Sequence, residues 1–224
     1  MLEGPKVASL VSGKTSSRFC TGLSRFAVRA LSGRLNEGEL EAEATAQIAK
    51  LQSSGLLVTH VDTHKHTHMF PQVLGPLLRA AAKCGVRAVR NAFEPVQFSL
   101  LAERPRLWRR IAQVKFMRGL ARNFRRTVLD HGMATPDGTL SIAATGALDQ
   151  KLFRLLLEDL PEGTWEFVTH PGYNDRDLDR IRTRLRESRV EELRILTSPE
   201  AREVLERGGI ELISYRELGA GSTA

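Results

Sequence analysis

Four of the six histidines in this 224-residue chain fall in one stretch, His60-Val-Asp62-Thr-His64-Lys-His66-Thr-His68-Met-Phe-Pro71, at alternating positions. Asp62 sits on the same alternation. Period two is that of an extended strand, so the spacing predicts five side chains on one face. Imidazole and carboxylate are common ligands of divalent metals and carry protons near neutral pH. An apolar strand face would be built from Val, Ile and Phe instead. A solvated strand face or a purification tag is the bland alternative. The stretch is internal, is interleaved with Val, Asp and Thr, and runs into apolar residues, which favours metal or catalytic chemistry. His131, standing alone, reads as a surface residue or a cation at a helix end.

Spacing limits what the row can hold. Alternate residues on a flat strand lie ~6.5–7 Å apart. One ion with bonds of ~2.0–2.2 Å cannot then take His64, His66 and His68 together. A turn after His64 would let one or two coordinate while the others shape a pocket. An ion near His64 would bind a carbonyl oxygen and a water and lower the water's pKa. A neighbouring carboxylate or carbonyl would fix each imidazole's tautomer. His170, held between a strand end and the rigid Pro171-Gly172, is placed to protonate a leaving group. Hydrolysis of an amide or ester is the matching reaction class. The pattern differs from the His-Glu-x-x-His helix of metalloproteases.

These residues need elements to position them. Residues 1–35 are rich in Ser and Gly and read as loop, with at most a short helix near 22–31. Leu40, Ala44, Ile48 and Leu51 recur at helical spacing, and Gly55 ends that helix. Residues 56–61 read as a buried strand that leads into the histidine row. Pro71 opens a helix through Cys84, closed by Gly85. Strands are then predicted at 86–91, 139–143, 165–169 and 210–214. Helices are predicted at 105–131 (one or a pair), 147–157, 178–196 and 199–207. Strands separated by helices imply right-handed crossovers and a parallel α/β sheet. Ligands bind such sheets at the strands' carboxyl ends, where the histidine row and His170 both fall.

A chain that is 42% hydrophobic supports one domain with a substantial core. The net charge of +7 raises the question of nucleic acid or an anionic membrane as a partner. The arginines cluster at 104–126 and 176–194, interleaved with apolar residues, as solvated amphipathic helices would have them. Few aromatics and no nucleic-acid motif argue against nucleic acid. Cys20 and Cys84 match no metal pattern and no disulfide framework. No apolar run reaches the ~18–20 residues of a spanning helix. The start lacks a signal-type apolar region. A cytoplasmic protein, peripheral to the inner membrane at most, is expected.

The histidine row resembles the signature of the YdjC-like carbohydrate deacetylases. That family includes the chitooligosaccharide deacetylases and a branch associated with hopanoid biosynthesis. The likeness continues through Val89-Arg90-Asn-Ala-Phe-Glu94-Pro95, Thr135-Pro-Asp-Gly138, Ala144-Thr-Gly146 and Glu166-Phe-Val-Thr-His170-Pro-Gly172. It ends with Glu191-Glu-Leu-Arg-Ile-Leu-Thr-Ser-Pro199 and Ile213-Ser-Tyr-Arg-Glu-Leu218. The Val-Arg-Asn-Ala-Phe-Glu-Pro piece is similar to the hopanoid-associated branch. The resemblance implies a β/α-barrel-like fold and a hydrolase dependent on Mg²⁺ or Zn²⁺. Its implied substrate is an N-acetylated sugar or glycolipid. It implies His64 as metal ligand, His170 as general acid, and Asp62, His66, His68 and Arg90 as groups supporting these or facing substrate. The family also opens with paired aspartates and a further histidine ligand. Here no aspartate precedes Asp62 and no histidine precedes His60. The expectation is a single domain over 1–224, an incomplete barrel lacking roughly sixty residues of the family pattern and leaving an exposed edge. Weak metal binding and little or no activity follow from that, with a non-catalytic remnant as the alternative; the oligomeric state is left open, pairing of the exposed edge into a homodimer being one option.

Overall fold

A computed structural model describes residues 2, 4–11, 19, 22–95 and 103–220. Its helices are α1 (Leu23–Leu31), α2 (Glu37–Ser53), α3 (Pro71–Lys83), α4 (Trp108–Met117), α5 (Ala121–Asp130), α6 (Gln150–Glu158), α7 (Arg176–Asp179), α8 (Glu187–Leu196), α9 (Pro199–Arg207) and α10 (Tyr215–Ala220). Two strands, β1 (Gly138–Leu140) and β2 (Trp165–Phe167), form a regular ladder. The chain divides into two compact units. One comprises Met1–Ala92, Leu120–Thr135 and Ile213–Ala224; the other comprises Phe93–Gly119 and Pro136–Leu212.

In the first unit, three extended segments run parallel. Val61 pairs with Val89, and Ala88 with Ala134. The Val61 N–H donates to the Ala88 carbonyl and the Arg90 N–H to the Val61 carbonyl, both at 3.0 Å. Helices supply the connections. Asn36 caps α2 by accepting the Glu39 N–H at 3.1 Å, with Glu37 and Glu39 in the favoured acidic first turn. Pro71 opens α3, which buries Val73, Leu74, Leu77, Leu78, Ala80 and Ala81. Arg79 ties α3 to α2 through Glu41 (2.6 Å) and Glu37 (3.0 Å).

In the second unit, β1 and β2 pair in parallel, Thr139 opposite Glu166. Leu107, Ile111, Leu152, Leu156, Ile195 and Val204 bring α4, α6, α8 and α9 onto one core. Asp149 caps α6, and Ser198 caps α9 just before Pro199. Gly138 is required for its size: a Cβ there would lie 2.5 Å from the Phe93 carbonyl oxygen.

The mixed α/β architecture with parallel pairing agrees with expectation, as do α1, α2, α3 and α9. Three points are corrected. Residues 56–61 and 86–91 form only isolated bridges, and 210–214 join no ladder. Leu57 and Leu212 are 68% and 77% exposed, so their apolar character is not matched by a packing surface. The region 178–196 is not one helix. It breaks between α7 and α8, where exposed Ile181 offers nothing to bury. The basic stretch 105–131 is a helix pair, α4 and α5. Cys20 lies outside the described residues; Cys84 is a free thiol. Among the described residues, no helix is long and apolar enough to cross a membrane.

Candidate active-site segments

The histidine row is not a strand. His64–Met69 coils as a 3₁₀ segment, with Lys65 and His66 both left-handed at φ 55° and 56°. Two consecutive non-glycine residues there cost about 1–2 kcal/mol each. The His66 N–H closes the turn on the Thr63 carbonyl at 2.8 Å. The reversal falls just after His64, and it breaks up the common face predicted from alternation.

Each ring therefore meets different surroundings. His60 stacks on Tyr215 of α10, centroids 3.8 Å apart and planes 10° from parallel. His64 is exposed, and its ring engages no partner among the described residues. His66 places Nδ1 3.4 Å from the Asp62 carboxylate. His68 is 0% exposed, with its ring 6.0 Å from that of Phe124.

The partners of His68 fix its tautomer. Nε2 lies 2.9 Å from the Arg90 carbonyl, which can only accept, so Nε2 carries the hydrogen. Nδ1 then accepts from the Thr63 hydroxyl at 2.9 Å. The same hydroxyl oxygen accepts the His68 N–H at 2.9 Å and the Thr67 hydroxyl at 3.1 Å. Burial, only partly offset by the Asp62 charge, lowers the His68 pKa to about 4. His68 is thus a neutral internal strut. Its burial leaves it no direct access to a substrate.

Asp62 is the electrostatic centre of this cluster. Its carboxylate receives the Arg90 guanidinium and lies 3.4 Å from both His66 Nδ1 and His68 Nδ1. Burial would raise its pKa. The His66 hydrogen bond, with the charge of Arg90, outweighs that and holds it below the usual carboxylate value. The first unit thus brings together Asp62, His66, His68 and Arg90.

His170 belongs to the second unit, three residues past β2, and is half-buried. Its N–H donates to Glu192 Oε2 at 2.5 Å. His131 takes the helix-end position expected of it, donating from Nδ1 to the Thr127 carbonyl of α5 at 2.8 Å.

Three groups escaped sequence reasoning. Thr63 is the hub of four polar contacts around His68, counting its carbonyl on His66; its only signal was its place inside the row. Glu94 is 3% exposed and accepts the Ala143 N–H at 2.8 Å. Burial raises its pKa to about 7 against the opposing backbone donors Ala143, Ser141 and Ile142. Glu192 looked no different from Glu191 in sequence, yet one is buried and the other ion-paired with Arg194.

The fit to a metal centre is incomplete. Among the described residues, no group of three or more His, Cys, Asp or Glu side chains could hold an ion.

The YdjC-like protein family model matches residues 1–207. The chain is similar to a carbohydrate deacetylase of Geobacillus stearothermophilus, 30% identical over 81% of this chain and 60% of the relative. A carbohydrate deacetylase of Brevibacillus brevis is 27% identical over 81% of this chain and 62% of its own length. Among solved structures, one described as a cellobiose-phosphate cleavage protein of Enterococcus faecalis V583 superposes with a TM-score of 0.69 at 26% identity. It covers 98% of this chain and 72% of that one. The chain spans about three-fifths of the length of the curated relatives it matches. With most of its length matched by one family model, this chain belongs to the YdjC-like protein family.

Proposed function

We propose that this protein hydrolyses the N-acetyl amide of an N-acetylglucosamine-containing sugar, free or carried on a hopanoid-type lipid. We take 1–224 as one YdjC-like domain, with its parallel segments belonging to a β/α-barrel-like fold. The observation that carries the reading is the left-handed turn at Lys65–His66. It leaves the His64 ring exposed and gathers His66, Asp62 and Arg90 into a polar cluster. Relatives named carbohydrate deacetylase support an acetylated carbohydrate as the substrate.

His64 is the donor we assign to a divalent ion, Mg²⁺ or Zn²⁺. The described residues do not complete its coordination. His170 is assigned the proton donor. One water adds to the acetyl carbon and releases a proton to solvent, the C–N bond breaks as the departing nitrogen takes the His170 proton, and His170 is reprotonated from solvent, giving acetate and a free amine. Asp62, His66 and Arg90 are assigned to hold the sugar's polar groups, and His68 to hold them in place.

The test is acetate release from N,N′-diacetylchitobiose by the full 224-residue chain supplied with Mg²⁺ or Zn²⁺. His170→Ala should reduce release at least ~100-fold. Equal release by the wild type and His170→Ala would overturn the proposal.

A further inference from the structure

We propose that Glu192 and Arg189, both on α8, are positioning residues that clamp the backbone of the His170-Pro171-Gly172 turn and so aim the His170 ring. This rests on the reading of His170 as proton donor. Three backbone groups of the turn end on this helix. The His170 N–H donates to Glu192 Oε2 at 2.5 Å. The Arg189 guanidinium donates to the His170 carbonyl at 3.4 Å. The Gly172 N–H donates to the Arg189 carbonyl at 3.1 Å.

Residues 189 and 192 stand three apart and share a helix face. They grip His170 at both of its peptide groups, which leaves its side chain only its own χ angles to explore. Pro171 removes further backbone freedom by fixing φ. The tether is rigid on the helix side as well, since neighbouring Ile195 is fully buried in the second unit's core.

The choice of a carboxylate at this place is informative. Glu192 is 1% exposed, and its Oε1 has no hydrogen-bond partner among the described residues. A buried carboxylate with one N–H to satisfy it is a poor structural device, because an apolar side chain fills the same space without the desolvation penalty. What an apolar side chain cannot supply, and the Oε2 acceptor does, is a short hydrogen-bonded hold on the His170 amide. That hold is valuable where a displacement of about 1 Å in the proton donor costs ~100-fold in rate.

The experiment uses the full chain and three variants, Glu192→Ala, Glu192→Gln and Arg189→Ala, with two readouts. The first is kinetic, on N,N′-diacetylchitobiose. Glu192→Ala should lower kcat ~10–100-fold with KM held within about twofold. Glu192→Gln, which keeps a carbonyl acceptor, should recover to within about threefold of wild type. The second is the NMR signals of the six histidine rings in the free protein. Glu192→Ala and Arg189→Ala should each shift or broaden the His170 signals and leave those of His64, His66 and His68 in place. Unmoved His170 signals overturn the clamp, as does a loss that falls on KM instead of kcat. If Glu192→Ala does not fold, Arg189→Ala is read by the same criteria. If the wild type releases no acetate while the variants still displace the His170 signals, the deacetylase reading falls and the clamp stands.

Discussion

Thr63 shows how one hydroxyl can decide the state of a histidine. It gives its hydrogen to His68 Nδ1 and its lone pairs to the His68 amide and Thr67. Thr63→Val keeps the shape and removes all three contacts, leaving a buried ring nitrogen and a buried amide unmet. Each such loss costs about 1–3 kcal/mol. We expect a fall of roughly 2 kcal/mol or more, read from the urea midpoint, with Thr63→Ser within ~1 kcal/mol of wild type. The chemistry of the histidine row was legible in residue types. Its geometry was not, because Lys65 and His66 carry none of the Gly or Asn signal that marks a left-handed turn. Nor does spacing tell a buried imidazole such as His68 from an exposed one such as His64. That difference comes from contacts with Arg90 and Phe124, both far away in the chain.

Helices were read well and strands poorly, for a physical reason. A helix carries its own ends: Asn36, Asp149 and Ser198 each accept a free N–H of the first turn they cap, and Pro71 and Pro199 open first turns. A parallel strand exists only through its neighbours. Residues 56–61 are as apolar as β1, yet only β1 finds a continuous partner, in β2. Gly138 is where that pairing is most sensitive. An added methyl would meet the Phe93 carbonyl at 2.5 Å and the Trp165 ring at 2.8 Å, so the strand must shift. Gly138→Ala should destabilise the protein by about 1–3 kcal/mol. A far-UV and near-UV melt checks this. A neutral effect would mean that β1 can move without losing its pairing to Trp165.

At the scale of the whole molecule, two buried groups oppose each other in pH. Folded His68 titrates near 4 against an ordinary 6.5. Its contribution is full above pH 6.5 and is lost as pH falls to about 4. Folded Glu94 titrates near 7 against an ordinary 4.5. Its contribution is full below pH 4.5 and is lost as pH rises to about 7. Between pH 4.5 and 6.5 the native state keeps a proton on Glu94 that the unfolded state keeps on His68, so the two slopes nearly cancel. Glu94→Gln should expose the His68 slope, with stability falling on acidification by up to about 1.4 kcal/mol per pH unit. His68→Gln should expose the opposite slope. Urea unfolding at half-unit steps of pH checks both. Parallel slopes in the two variants would refute the assignment.

The stack of Tyr215 on His60 joins the far end of the polypeptide to the segment that precedes the histidine turn. The unit holding that turn is assembled from three separated stretches, the last of them Ile213–Ala224. During vectorial synthesis the intervening Pro136–Leu212 must therefore leave the ribosome before the first unit receives its final helix. The aromatic ring that stacks on the His60 imidazole is thus translated about 150 codons after it.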